Sequence, residues 1–323
     1  GVLKPFRGAK ALVTAPVVTT VGAVKGIGRW MGNIARAVKS DDPYQEGGIS
    51  AAVGWAGTKR TFALKLGVDP YTDWEPLKQS LTSVAKAAFA GGITVGVAMG
   101  AVTDGTTVGT VVTVTSLGED MNSILRDNPP EGLTKINRQK LVSMGIPAKV
   151  ADPFLFNYNY TPMEKTLLVE SLRRMEGAKG RDLYVLQASA APDQILARYM
   201  QQRAEMMANY HTIKTAKDFV KIDESVLQIN REGTLLANHP FDYLAWTSEL
   251  SVIVASLEGQ SKDKNKELWL EGSASPATLK SLTAHGWQVK ERVGLLTGTP
   301  LQNQSAAGAG GAAPGAAVKI ITR

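Results

Sequence analysis

The side chains best suited to acid–base chemistry or metal binding are three histidines, His211, His239 and His285. His239 stands three residues before Asp242, with Ser273 or Ser275 further along, so a Ser-His-Asp hydrolytic site is one hypothesis. A helical zinc site needs a second histidine four residues away or a suitably spaced carboxylate, and these histidines have neither. The chain has no cysteine. We therefore predict no metal centre and no cofactor, and we assign no catalytic residue.

Two further patterns could bind a ligand. Gly272 and Ser273 precede a helix that opens at Ser275, and backbone N–H groups at such a turn can cradle a phosphate. The alternative is an ordinary strand-to-helix turn whose serine starts the helix. A helix from about Pro192 through ILARYMQQRAEMMANYH has an apolar face that either lines a pocket or belongs to the core. The residues of this face are Ile195, Tyr199, Met206 and Tyr210.

The most distinctive pattern is a basic N-terminal arm, residues 1–48. Residues 1–40 contain seven lysines and arginines and no acid, whereas residues 41–323 contain 29 basic and 29 acidic side chains. Wound as an α-helix, residues 21–39 gather four cations within an arc of about 80°. These cations are Lys25, Arg29, Arg36 and Lys39. The opposite arc is apolar, with Val24, Ile27, Trp30, Met31, Ile34 and Val38.

A cationic amphipathic segment of this kind is typical of a helix that lies on an anionic membrane surface. Packing against the protein's own core or against a partner protein is the main alternative, since amphipathic helices often do this. Binding to nucleic acid or another polyanion is less favoured, because it would not use the apolar arc. The predicted membrane- or partner-binding residues are Lys25, Ile27, Arg29, Trp30, Met31, Ile34, Arg36 and Lys39.

Residues 49–119 are predicted to form a glycine-rich apolar layer of helix and strand. A helix from Ile49 to Leu66 ends in a turn at residues 67–71, and a second helix starts near Trp74, with Thr72 or Asp73 as cap. Small residues recur every fourth position in residues 87–102, which lets another backbone approach closely. These small residues are Ala88, Gly92, Gly96 and Gly100. With the uncharged run that follows Asp104, the segment is either a buried helix and strand or a hairpin dipping into a bilayer.

APVVTTVGAVKGIGRW (residues 15–30) and LGVDPYTDWEPLKQSLTSVAKAAFAGG (residues 66–92) together carry a family resemblance. They are similar to hypothetical exported proteins of proteobacteria, in which a basic glycine-containing segment precedes a GVDPYT-type stretch followed by FAGG. Residues 73–77 depart from that pattern. The resemblance implies an exported, envelope-associated protein, periplasmic or membrane-peripheral, and it transfers no catalytic residue.

Short helices fill the next region, residues 120–220. One carries Leu133, Ile136, Leu141 and Met144 and ends before Pro147. Another starts at Thr161-Pro162-Met163-Glu164, which has the pattern of a capping box with proline at the first helical position.

Residues 221–296 read as a small α/β unit. The predicted elements are a hairpin of residues 226–230 and 234–237, a helix over 243–257, a strand over 267–270, a helix from Ser275 to Leu282 and a strand over 287–290. Alternating strands and helices predict a β-α-β-α-β sheet with at least one parallel pair. The loop of residues 271–274 would then follow a carboxyl-terminal strand end, where ligands bind in α/β sheets.

The composition of the last segment, residues 297–323, predicts a flexible Ala/Gly linker with a strand-like tail from Val318 to Arg323. The tail is either a tag remnant or a strand that adds to a sheet edge, in the latter case as a route to a homo-oligomer. The predicted fold class is α+β, a mainly helical body with a small β-α-β-α-β C-terminal unit. The predicted function is a non-enzymatic, envelope-associated binding or assembly protein that docks through the arm onto a membrane surface or a partner subunit. An enzyme in the C-terminal unit and a polyanion binder are the alternatives.

Overall fold

The computed structural model describes residues 55–89, 119–223, 225–261 and 263–293. Within these ranges the chain forms ten helices and seven strands. The helices are α1 (Trp55–Lys65), α2 (Glu75–Phe89), α3 (Glu119–Asp127), α4 (Pro130–Ser143), α5 (Ala148–Leu155), α6 (Pro162–Arg174), α7 (Arg181–Ser189), α8 (Gln194–Ile213), α9 (Ser248–Gln260) and α10 (Pro276–Ala284). The strands are β1 (Ala216–Ile222), β2 (Ser225–Asn230), β3 (Leu235–His239), β4 (Tyr243–Leu244), β5 (Lys266–Leu270), β6 (Ser273–Ala274) and β7 (Trp287–Lys290). The α+β fold class predicted from the sequence is confirmed.

The first two helices form a hairpin around a turn that the sequence predicted correctly. Gly67 has φ 71°, the left-handed conformation that glycine adopts without strain at a helix end. The N–H of Val68 donates to the carbonyl of Ala63 at 2.9 Å, and that of Gly67 donates to Leu64 at 3.1 Å, a Schellman motif. Phe62 and Leu81 are buried between α1 and α2. Thr72 accepts a bond from the N–H of Trp74 at 3.2 Å just before α2 begins.

The central helix of the body is α6, and the sequence identified its start. The Glu164 N–H donates to the Thr161 hydroxyl at 3.1 Å, while the Thr161 N–H donates to Glu164 Oε2 at 2.9 Å. This capping box satisfies two backbone donors that the start of a helix leaves open. α6 packs against α4 on one side and α8 on another. Because it has neighbours on two sides, even Glu170 is buried, where Lys140 pairs with it at 3.1 Å.

The apolar face predicted for α8 is partly wrong. Ile195 is 78% exposed, whereas Met200 and Met207 lie fully buried in the helical core and Tyr210 packs against the sheet. The reason is that α8 packs between the helical body and the sheet, so a broad arc of it is buried rather than one stripe. Its first turn, which carries Ile195, lies outside that contact.

The five-stranded sheet has the order β1-β2-β3-β5-β7. β1, β2 and β3 are antiparallel neighbours, and β3, β5 and β7 run parallel, with α9 and α10 as the crossovers. The predicted hairpin and both later strands are confirmed. β1 was missed, because AKDFVKI follows a long helical stretch and carries charges that mask its alternation.

The sheet is covered on both faces. Leu235, Ala237 and Leu268 face a cluster that includes Val254 of α9 and Leu282 of α10. The side chains that alternate with them, such as Leu236 and Trp269, pack against Tyr210 of α8. The parallel strands therefore lie between α9 and α10 on one face and α8 on the other.

One predicted helix began too early. Tyr243 and Leu244 form a short strand that pairs with Ser273 and Ala274, and α9 starts only at Ser248. The helix start is fixed by Thr247, whose hydroxyl accepts the N–H of Leu250 at 3.2 Å. A period-3.6 pattern does not distinguish such a cap from the residues before it.

Several predictions lie outside the described residues. These are the whole arm of residues 1–48, nearly all of the glycine-rich segment of residues 87–118, and the linker and tail of residues 297–323. In the part of the chain that the structure describes, no helix combines the length and apolar character needed to cross a membrane.

Candidate functional site

The arm residues predicted to bind a membrane or a partner stay predictions, because all eight precede Trp55. Of the four small residues predicted to pack closely, only Ala88 lies within the described residues. It is half-buried on α2, against the cluster that contains Phe62 and Leu81. Gly92, Gly96 and Gly100 lie outside the described residues.

The carboxyl edge of the parallel strands is the part of the described fold where a ligand site was predicted. β3 ends at His239 and β5 at Leu270, and the two following loops run side by side. The Gly272 N–H donates to the Phe241 carbonyl at 2.9 Å, and the Ser273 N–H donates to Asp242 at 3.0 Å. A Cβ at position 272 would overlap the backbone of Asp242, so this approach requires glycine.

The phosphate-cradle interpretation of residues 272–275 is wrong. Besides the two bonds above, the N–H of Ala274 donates to Glu291 Oε1 at 2.6 Å and that of Ser275 to the Leu244 carbonyl at 2.9 Å. Each of these donors is therefore already used within the protein. The ordinary alternative is confirmed: the Ser275 hydroxyl caps α10 by accepting the N–H of Thr278 at 3.1 Å.

Three aromatic rings stack at the same edge. His239 and Phe241 lie parallel, with ring centroids 5.1 Å apart and an interplanar angle of 4°. Tyr199 of α8 stacks on Phe241 at 5.5 Å, and its hydroxyl bonds to Nδ1 of His239 at 2.5 Å. The histidine of the proposed triad thus has a tyrosine as partner rather than Asp242, and Ser275 serves as a helix cap. The described geometry does not assemble the hydrolytic site.

The electrostatics of this edge keep the rings uncharged. Burial and the positive charge of Arg203 hold the pKa of His239 well below its ordinary value. Burial raises the pKa of Tyr199 to about 12, although Arg203 opposes the rise. At neutral pH a neutral phenol therefore bonds to a neutral imidazole, and this pair fixes the end of β3 to α8.

Arg203 is the residue of this region that sequence reasoning missed. It is 2% exposed, and its Nε donates to the Asn238 carbonyl at 2.9 Å and its Nη2 to the Val226 carbonyl at 2.6 Å. Its guanidinium also lies 5.8 Å from the ring of Tyr184. The side chain joins α8 to β2 and β3. No signal in the sequence marks it, since an arginine in a helix is usually placed on the solvent face.

The two other histidines lie in different parts of the fold. His211 Nδ1 accepts the N–H of Ala216 at 3.1 Å where α8 leads into β1. His285 follows α10, bonds through Nδ1 to Glu258 at 2.7 Å and stacks on Trp246. Across the described ranges, no three histidines, aspartates or glutamates are grouped so that they could hold a metal ion.

The GVDPYT stretch joins the first hairpin to the body. The Tyr71 hydroxyl bonds to the backbone carbonyls of Leu125 and Asn128 at 2.6 and 2.7 Å. Asp69 accepts the N–H of Tyr71 at 2.8 Å and a bond from the Thr161 hydroxyl. We call Asp69, Tyr71, Thr161 and Glu164 the junction.

No protein-family model, curated protein or solved structure matches the chain. The structure gives the GVDPYT stretch a structural role in the junction. The stacked edge and Arg203 likewise hold elements together. The strongest functional signal of the chain is therefore the composition of the arm.

Proposed function

We propose that the protein is an envelope-associated binding or assembly protein that docks on an anionic membrane surface through residues 21–39. One observation carries this proposal: residues 1–40 contain seven cations and no acid, and in a helical winding residues 21–39 have a continuous apolar arc opposite their basic one. Each basic residue near an anionic surface contributes about 1 kcal/mol. The apolar arc adds a contribution that salt does not screen.

The charge balance of the remaining chain supports the arm as the docking element. Residues 41–323 have as many acids as bases. Within the described body, several cations are paired with acids: Arg138 with Asp152 at 2.8 Å, and Lys214 with Glu267 at 3.2 Å. The arm therefore provides most of the attraction to an anionic surface. The resemblance to exported proteins supports an envelope location.

The test replaces three apolar residues of the arm, Ile27, Met31 and Ile34, by serine in the full chain. We expect the variant to lose co-sedimentation with anionic vesicles at low salt, because without the apolar arc the arm can no longer insert into the membrane surface. The matched control replaces Val142 and Val252, two exposed apolar residues of the body, by serine and keeps binding. Unchanged binding of the arm variant would show a purely electrostatic association and favour a polyanion ligand.

A partner subunit is the alternative docking surface. In that case the unaltered chain stays in the supernatant with vesicles of every composition. The same serine substitutions would then change the mass of the assembly measured by light scattering rather than vesicle binding.

A further inference from the structure

The described body exposes two large apolar side chains at adjacent places. Trp74 precedes α2 and is 55% exposed, and Ile195 in the first turn of α8 is 78% exposed. Their sequence neighbours are bonded to each other, since Gln194 Nε2 donates to Asp73 Oδ2 at 2.7 Å. We call Trp74 and Ile195, with the acids beside them, the Trp74 surface.

Acids outnumber bases around this surface. Asp73, Glu75 and Asp193 are exposed beside the two apolar residues, and Asp69 and Glu164 of the junction lie behind them. The facing cations are Lys59 near Asp69, Lys78 beside Glu75 and Arg198 near Glu164. The surface thus combines exposed apolar groups with an excess of negative charge, which suits a partner that is both apolar and basic.

The pKa values of the two junction carboxyls, Asp69 and Glu164, are raised above their ordinary values. Burial is the main cause that raises the pKa of Asp69 to about 6 and that of Glu164 to about 7. The charge of Asp73 adds to both rises, and the charge of Asp69 adds to that of Glu164. A cation brought to the Trp74 surface would lower both values.

A segment with the complementary composition is present in the same chain. Residues 21–39 have four cations, no acid and an apolar arc, and 15 residues separate Lys39 from Trp55. Such a stretch spans at most about 50 Å. It is followed by α1, which is about 16 Å long and ends at the turn that precedes Asp73. The tether is long enough for the arm to reach this surface.

We propose that residues 21–39 dock on the Trp74 surface of their own chain when no membrane is present. The apolar side chains of the arm contact Trp74 and Ile195, and the acids attract its cations. The inference rests on the proposed function, because the docked arm is the one that a membrane must displace. A second copy of the chain is the alternative occupant of this surface. Dilution with unlabelled chain distinguishes the two cases in the experiment that follows.

The test measures the distance between two spin labels by pulsed electron paramagnetic resonance. The chain has no cysteine, so Ala35→Cys in the arm and Ser80→Cys on α2 give unique labelling sites. The control pair combines Ala35→Cys with Gly259→Cys, a position with open space around it on α9. We expect a short distance for the first pair and a longer one for the control pair, both with narrow distributions, because a docked arm is fixed relative to both helices.

Replacing Trp74 and Ile195 by serine in the doubly labelled chain should broaden the distribution and speed tryptic cleavage after Arg29 and Arg36 severalfold. Both replaced side chains are exposed, so the fold is kept. An unchanged distribution in this variant would overturn the inference. So would a short distance that disappears on dilution with unlabelled chain, because it would come from a second copy.

Adding vesicles of anionic lipid separates this inference from the proposed function. Loss of the short distance with vesicles supports both. A short distance that survives saturating vesicles supports docking on the body and contradicts the membrane function. A broad distribution without vesicles overturns docking on the body and leaves the membrane function to its own test.

Discussion

Replacing Glu164 by glutamine should stabilise the protein at alkaline pH and have no such effect at acidic pH. Glutamine keeps the acceptor that the Thr161 N–H uses in the capping box, and it removes the charge. The pKa of Glu164 lies at about 7, above its ordinary 4.5, chiefly because of burial. The folded state therefore holds this proton more tightly than the unfolded state, and stability is lost as the pH rises from 4.5 through 7.

The size of the stability gain follows from the difference between the pKa of Glu164 in the folded protein and its ordinary value. Each pKa unit corresponds to about 1.4 kcal/mol, so the full difference is about 3 kcal/mol above pH 7. Solvent screens a half-buried carboxylate, so we expect a gain of about 1–2 kcal/mol at pH 8. For a chain of 323 residues, that gain raises the melting temperature by roughly 1.5–3 °C.

The assay is thermal unfolding of the unaltered chain and the variant between pH 4.5 and 8.5. The difference in melting temperature should grow across this range and level off above pH 7. Glu131→Gln is the control, an exposed acid in the first turn of α4, and it should give no gain. A Glu164→Gln variant that is less stable at pH 8, or a gain equally large at pH 4.5, would refute the role given to burial.

Two further substitutions, with a third as control, test the packing around the sheet. Arg203→Met should lower the free energy of unfolding by about 2–4 kcal/mol, because two buried carbonyl oxygens lose their donor, and urea denaturation measures the loss. Gly272→Ala should cost about 1–3 kcal/mol through the overlap with the backbone of Asp242, whereas Gly259→Ala, with open space around it in a helix, should gain about 0.5–1 kcal/mol. Equal urea midpoints for the two alanine variants would contradict the close approach of the two loops.

Much of the described fold could be predicted because its signals are local. The capping box at Thr161, the turn at Gly67 and the serine cap at Ser275 each depend on residues within a few positions, and all three are present. The β-α-β-α-β pattern also follows from period and length alone.

What the sequence did not reveal depends on contacts between distant residues. Tyr199 and His239 are 40 positions apart, and only the fold shows that they bond to each other rather than to Asp242. The burial of Arg203 arises from the same packing of α8 against β2 and β3. β4 and β6 have two residues each, too few for a periodic pattern to appear.

We propose that the arm binds an anionic membrane surface through both charge and apolar contact. The most direct measurement is co-sedimentation of the full chain with anionic and with neutral vesicles, at low and at high salt. We expect binding to the anionic vesicles that high salt weakens without abolishing, and little binding to the neutral ones. Failure to pellet with anionic vesicles at low salt would contradict the claim, as would complete release at moderate salt.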